Sequence, residues 1–263
     1  EFVGQAYDNP TESGLSAFSA EIVGGGSLKG RYRSVGEQNV YALAAEWNEI
    51  PCHYLIKHLR YDDILEGTTT GRVDYSVDRD DPGTLRGDGR FTVRNGQFSA
   101  DFLLAQFGQQ LENDINALPP SLRFRKLEVE VGLEGDRVRT PRLFLDSEGI
   151  DVSGAGEYVR DGDLDYQVRL KISPETTQKI PLLREAFNVE GHRLAQQDVE
   201  LAFRISGPTF DPRGELAEMP PLGVTLVSGA LEVTSEALKV IDMPRRILVD
   251  LLKTGTGVVS ATR

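Results

Sequence analysis

The sequence contains a single cysteine, Cys52, so an intrachain disulfide is impossible and a zinc site built from several cysteines is excluded. Histidines are also few, and there are only three: His53, His58 and His192. Nucleophilic and metal-dependent catalysis depend heavily on these two residue types. Because His53 and His58 fall on one predicted helix at a spacing that points them in different directions, we expect structural or surface roles for them.

Basic residues are scarce relative to acidic ones. The chain has 29 Lys and Arg against 41 Asp and Glu, which gives a net charge of −12. An acidic chain has no general attraction for a nucleic-acid backbone or an anionic membrane surface, and no local block of basic residues reverses the balance. We therefore expect no nucleic-acid partner.

Long apolar runs are missing as well. The longest uncharged stretch, residues 219–231, is broken by prolines and glycines and is shorter than the ~17 to 25 residues of a membrane-spanning helix. The sequence begins at Glu1 with no targeting segment or apolar anchor. We expect it to be part of a longer protein.

Enzyme motifs are absent too. The glycines at residues 24–26 lack the spacing of a phosphate-binding loop. Asp78, Asp80 and Asp81 resemble part of a calcium loop, but an EF-hand needs a ligand where Pro82 stands, so the segment predicts a charged hairpin tip. No acidic pair has the aromatic platform that is typical of a glycosidase. We expect a protein that is not an enzyme and uses no cofactor or metal.

Strict alternation of apolar and polar residues is the strongest pattern that the sequence does contain. It covers residues 73–77, 127–133, 164–172 and 199–205. Successive side chains of a strand point to opposite faces of a sheet, so each segment predicts a strand with one apolar face.

Residue pairs that suit tight hairpin turns occur near these segments: Asn95-Gly96, Gly135-Asp136 and Asp161-Gly162. They predict sequential, antiparallel pairing in a meander. Helical periodicity is limited to residues 52–64, 100–115 and 235–252, with a shorter candidate at 180–187. The predicted fold is mainly β with a few short helices at the ends and edges, an α+β chain.

An internal repeat supports this architecture. Residues 85–96 resemble residues 152–162, since both read apolar-x-Gly-x-Gly-charged-aromatic before an Arg-Asn/Asp-Gly sequence. Repeated β units that cannot bury their apolar face alone are typical of architectures that grow in one direction.

A long meander with one apolar face must cover that face, because soluble proteins rarely expose more than a few hundred square ångströms of contiguous apolar surface. The sheet can close into a barrel, pack on a second sheet, or curl into a trough that holds a hydrophobic guest. Acyl chains, at ~0.8 kcal/mol per buried methylene, are a suitable guest for a trough.

Several short motifs occur in an order that resembles the C-terminal region of the AsmA family and, more distantly, the bridge-like lipid-transfer proteins. The resemblance covers roughly residues 47–213. The motifs that carry it are residues 65–73, 85–89, 95–98, 124–127, 152–156, 205–208 and 211–212.

This resemblance implies an antiparallel meander curled into an elongated, open, taco-like β-groove over residues 1–214. It implies a periplasmic location, attachment to the inner membrane through a segment absent from this sequence, and phospholipid movement that supports outer-membrane biogenesis. No catalytic residues come with the family. Residues 215–263 do not match it, and we expect an apolar, helical tail there that caps the groove, lies against a membrane or packs on the sheet.

The groove lining is mapped onto the apolar residues of the alternating segments. They are Val73, Tyr75, Val77, Phe91, Val93, Leu127, Val129, Val131, Leu164, Tyr166, Val168, Leu170, Leu201 and Phe203. The predicted ligand is a phospholipid or another acyl-chain lipid.

Two other hypotheses remain open from the residues alone. The first is a closed β-sandwich scaffold that binds a protein partner through its edge strands, which needs no ligand. The second and weaker one is a carbohydrate-active enzyme.

Overall fold

The computed structural model describes residues 2–8, 12–22, 24–35, 40–56, 65–78, 80–99, 121–160, 162–179, 198–208, 213–218 and 231–232. The helices predicted at residues 100–115, 180–187 and 235–252 lie outside these ranges, as do His58 and His192.

Strands dominate the described residues. They are β1 (Phe2–Asp8), β2 (Glu12–Glu21), β3 (Ser27–Val35), β4 (Val40–Pro51), β5 (Leu65–Asp78), β6 (Arg86–Ser99), β7 (Ser121–Glu134), β8 (Arg137–Ser147), β9 (Ile150–Val159), β10 (Asp163–Ile172), β11 (Val199–Pro208), β12 (Arg213–Glu218) and β13 (Leu231–Glu232). The described helical elements are α1 (Cys52–Ile56), α2 (Pro174–Lys179) and a single 3₁₀ turn (Pro82–Thr84).

These strands form one 13-stranded sheet in which every strand pairs with its neighbours in sequence. All of the pairings are antiparallel, and β1 and β13 are the two ends of the order, so the sheet is open. The predicted meander is confirmed, and the open sheet replaces the closed sandwich of the alternative hypothesis. Strand β12 crosses residue 214, where the sequence predicted a domain boundary.

The alternating segments predicted as strands lie in β5, β7, β10 and β11, as expected. Two of the three predicted turns are also confirmed. Gly135 and Asp136 join β7 to β8, and the turn from β9 to β10 closes with the Gly162 amide donating to the Val159 carbonyl.

The turn predicted at Asn95-Gly96 is wrong, because both residues lie inside β6. Asn95 has a φ of 50°, and the register shifts between Glu66 and Thr68 on the neighbouring strand, where Gly67 has a φ of 127°. The pair therefore forms a β-bulge. The Asn-Gly preference for positive φ was correctly recognised, but it bends a strand here instead of ending one.

The sheet has two chemically distinct faces. We call the face that carries Val73, Val129 and Val168 the inner face, and the face that carries Arg72 and Glu128 the outer face. Residues in register on neighbouring strands share a face, so the inner side chains form rows that run across the strands.

The two copies of the internal repeat place paired glycines on the inner face. In each copy one glycine is covered by a tyrosine of the adjacent strand: Tyr75 lies over Gly87, and Tyr166 lies over Gly156. A Cβ added at Gly156 would meet Cγ of Tyr166 at 2.5 Å. At Gly87 the Cβ would instead meet Cβ and Cα of Tyr75, so the repeat marks places where a tyrosine of the next strand packs closely on a glycine, with its ring in the way only at Gly156.

Bulges interrupt the register at several strand pairs, among them β4–β5, β5–β6, β7–β8 and β8–β9. A bulge bends its strand and increases the local twist. Together with the inner-face glycines, the bulges allow the sheet to curl toward its inner face, which is the open curled groove expected from the sequence.

Substitution of Gly156 by alanine is expected to destabilise the fold by ~1–3 kcal/mol, because the new methyl group would overlap the Tyr166 ring. Gly89→Ala is the matched control: its Cβ would sit 3.4 Å from the nearest atoms of Arg72 and Val73. That control should be neutral or stabilising by up to ~1 kcal/mol. Urea unfolding measures both, and equal losses would contradict the packing role of Gly156.

Candidate functional site

The residues predicted to line a groove all lie on the inner face, in register with one another across β5, β6, β7, β10 and β11. Most of them are buried in one hydrophobic cluster that extends from Ala45 to Tyr166. Leu201 belongs to a smaller cluster with Ile172 and Val199. The inner face is thus continuous and apolar over many strands.

One inner-face row is less buried than its neighbours. It runs through Gly71, Phe91, Val129, Leu143, Gly154, Val168 and Phe203, which are successive register partners on β5 to β11. We call it the central row. Phe91, Leu143, Val168 and Phe203 are each partly exposed, whereas Val93, Leu127 and Leu145 of the next row are buried and only Val152 and Leu170 of that row are partly exposed. The central row is therefore the more accessible of these two rows.

The inner face carries no charge at any position that the structure describes in β3 to β11. Its buried polar groups are bonded within the protein. Thr69 Oγ1 accepts a hydrogen bond from Trp47 Nε1 at 3.1 Å, and the hydroxyls of Thr140 and Tyr166 share one of 3.0 Å. A guest on this surface would meet weak, nondirectional contacts.

Sequence reasoning missed the inner-face residues of β8. Val138 is fully buried, Leu145 is buried and Leu143 belongs to the central row. The alternation signal fails there because a bulge between Thr140 and Leu143 adds residues and resets the period. The aromatic residues Trp47, Phe98 and Phe124 are also buried in this face and were not predicted.

Reactive groups on the described residues are poorly placed for catalysis. Burial raises the pKa of the Cys52 thiol to about 12, so it is protonated at neutral pH. Burial, with the nearby Tyr32, raises the pKa of Tyr75. His53 is exposed and lies against Tyr54, with ring centroids 4.1 Å apart.

The acidic segment before Pro82 forms the predicted hairpin tip. Asp78 accepts a hydrogen bond from the Asp80 amide, and Asp81 accepts one from the Gly83 amide, so both carboxylates stabilise the turn. Among the described residues there is no group of His, Cys, Asp and Glu that is arranged to hold a metal ion.

The outer face is covered by cross-strand ion pairs. Arg204 bonds Asp165 at 2.9 Å, Lys171 approaches Asp198 to 2.9 Å, and Arg137 pairs with Glu157. The hydrogen bond from Arg204 lowers the pKa of Asp165, so this pair contributes its stability above the ordinary carboxyl range and loses it as pH falls. Exposed pairs of this kind contribute little individually.

In the part of the chain that the structure describes, no helix has both the length and the apolar character needed to cross a bilayer. Comparison of the chain with protein-family models, with curated proteins and with solved structures gave no match. The resemblance to the AsmA family therefore stays a prediction from the sequence motifs.

The Thr140–Tyr166 bond provides a test of how the inner face is held together. Tyr166→Phe would leave the buried Thr140 hydroxyl without this bond and is expected to cost ~1–3 kcal/mol of unfolding free energy. Adding Thr140→Val removes the stranded hydroxyl, so the double variant should recover part of the loss. Urea unfolding of the wild type, the two single variants and the double variant measures the coupling free energy between Thr140 and Tyr166. Strictly additive losses of unfolding free energy would contradict a direct bond.

Proposed function

We propose that the inner face binds the acyl chains of a phospholipid, and that the chain is a nonenzymatic segment of an AsmA-like lipid conduit in the periplasm. The observation that supports this most is the central row: an uncharged line of apolar residues on an open sheet, in which Phe91, Leu143, Val168 and Phe203 are partly exposed.

The dimensions of the central row suit an acyl chain. Phe91 and Phe203 lie on β6 and β11, and five strand spacings of ~4.8 Å place them roughly 24 Å apart. That exceeds the ~15 Å depth of one leaflet of a bilayer's hydrocarbon core. Each methylene that leaves water for this row would gain ~0.8 kcal/mol, so a few contacts per strand are sufficient for binding.

The chemistry of the row also suits movement. A lipid tail held only by dispersion and apolar burial breaks no hydrogen bond when it shifts by one strand, because the polar groups of the face are bonded to each other. In this proposal the phospholipid moves between the inner and outer membranes along the row, and the full-length protein is anchored to the inner membrane outside this sequence.

A carboxylate placed in the central row should block lipid binding without unfolding the protein. Val168 is partly exposed, so water can solvate the new group in Val168→Asp, and a cost of ~1–2 kcal/mol is expected. Val131→Asp is the matched control, because Val131 is only 4% exposed and the same change should cost ~4 kcal/mol or more. Chemical unfolding and native mass spectrometry with phosphatidylglycerol measure stability and binding.

Retention of bound phospholipid by a folded Val168→Asp variant would contradict the proposal. Unfolding of that variant to the same extent as Val131→Asp would contradict it as well, since the central row would then be a dry core.

Photocrosslinking distinguishes the two faces directly. We expect p-benzoylphenylalanine in place of Phe91, on the inner face, to crosslink phospholipid in cells and in vesicle-incubated protein. The same replacement at Phe144 is the control, because Phe144 is also aromatic and partly exposed but lies on the outer face, in register with Glu128. Equal lipid adducts at both positions, or none at Phe91, would argue against an acyl-chain site on the inner face.

The second candidate, binding of a protein partner through an edge strand, is favoured by β1. Its side chains are almost all exposed, and Val3 is 59% exposed. Residues 2–7 contain no charge and no proline, so over these residues β1 lacks two of the features that usually protect an edge from pairing, although its register shifts between Gln5 and Ala6 and it ends at Asp8. A partner's strand that paired with β1 would add one more strand to the sheet and so extend its inner face.

A further inference from the structure

The outer face contains a depression of about 680 Å³ that extends from β3 to β8. We call it the outer trough. One row of its lining consists of small polar side chains, including Asn48, Thr70 and Thr92. The next row is charged: Lys29, Glu46, Arg72, Arg90, Glu130 and Arg142. Its lining also includes Trp47, Gly71, Phe91 and Val129 of the inner face, but the charged side chains lie on the outer face.

Two arginines face each other across strands in the outer trough. Arg72 on β5 and Arg90 on β6 are direct register partners, which places their Cα atoms roughly 5 Å apart. Like charges in this arrangement destabilise a sheet. Both side chains are exposed, and neither forms an ion pair within the described residues, although the rest of this face is rich in such pairs. Glu46 and Glu130 are the acidic register partners on the other side of Arg72 and Arg90, but among the described residues neither arginine forms an ion pair with them, so both guanidinium groups are available to a ligand.

The neighbouring acids do not neutralise the arginine pair. Glu46 is bonded to Lys29 at 3.0 Å, and Glu128 is bonded to Arg142 at 3.0 Å. Glu130 is in register with Arg90 but forms no ion pair with it among the described residues. Basic side chains outnumber acidic ones by one in the lining of the trough, in a chain whose net charge is −12. The trough is thus a locally basic site on an acidic protein.

Additional hydrogen-bond donors lie beside the pair. Thr70 Oγ1 accepts a hydrogen bond from the Glu49 amide at 3.1 Å and donates one to Asn48 Oδ1 at 3.3 Å. This holds the Asn48 carboxamide oxygen in place in the lining of the trough. Glu49 has a φ of 52°, a conformation that costs energy for a residue other than glycine, so the bulge that presents Asn48 is maintained against strain.

We infer that the outer trough binds a phosphate group between the guanidinium groups of Arg72 and Arg90. Guanidinium groups form paired, charge-assisted hydrogen bonds with phosphate oxygens, and a phosphate dianion between them would remove the repulsion that the free protein carries. Asn48 and the Thr92 hydroxyl are positioned in the same lining to bond the remaining oxygens or the adjoining part of the ligand.

The test is an NMR titration of the protein with inorganic phosphate, observed at the arginine Nε–Hε signals. Saturable shifts are expected for Arg72 and Arg90. Loss of one charge-assisted partner in Arg72→Gln or Arg90→Gln should raise the Kd about ten-fold. Without phosphate both variants should keep or slightly raise the Tm, because the like-charge repulsion is relieved.

Arg86→Gln is the matched control, since Arg86 is exposed on the same face of the same strand, roughly 13 Å from Arg90 and outside the trough. It should leave the Kd unchanged. Nonsaturating shifts spread over many arginines, or an equal loss of affinity in Arg86→Gln and Arg90→Gln, would overturn the inference.

The phosphate group has two possible sources, a lipid headgroup or a soluble ligand, and a second measurement separates them. Flotation with phosphatidylglycerol vesicles that is lost in Arg90→Gln and kept in Arg86→Gln identifies a headgroup. Saturable binding of inorganic phosphate without vesicle flotation identifies a soluble ligand. Absence of both would overturn the inference. The titration with inorganic phosphate does not depend on acyl-chain binding at the inner face, and flotation through the inner face alone would persist in Arg90→Gln, which would also overturn the inference.

Discussion

Burial of one apolar face is the constraint on which this structure depends. A meander of 13 strands with a single hydrophobic face would expose far more apolar surface than a soluble domain tolerates if it stayed flat. The sheet curls instead, and the curl requires local room on its concave side. Gly87 and Gly156 provide that room, since a side chain at either position would collide with the tyrosine of the next strand, Tyr75 or Tyr166.

Because the same backbone carries both faces, the requirements of the inner face determine what the outer face can become. Alternation assigns every second residue to water, and antiparallel register brings those residues into rows. Many of the charged residues in these rows form ion pairs such as Arg204–Asp165. Arg72 and Arg90 are brought together by the same register, and neither forms an ion pair among the described residues, which is the basis of the anion site proposed above.

The sequence was sufficient to predict the strands whose alternation is unbroken, such as β10, and the sequential pairing that follows from short turns. Strand β8 was not predicted because the bulge after Thr140 interrupts its alternation of apolar and polar residues. The turn predicted at Asn95-Gly96 was wrong because a positive φ is found in bulges as well as in turns. The arginine pair could not be seen, since Arg72 and Arg90 become neighbours only through register. Partial exposure of the central row depends in the same way on how tightly the curled sheet packs.

The glycines of the central row explain why accessibility is unequal along it. A Cβ at Gly71 would meet the Trp47 ring at 2.5 Å, so the indole fills that position and Trp47 is itself buried. At Gly154 the nearest side-chain atom would be Cγ2 of Val168 at 3.6 Å, and no aromatic ring covers the position. Between β8 and β11 the row therefore keeps space beside Leu143, Val168 and Phe203. Trp47 thus fills the row where β5 meets β4, whereas no such ring is packed against Gly154.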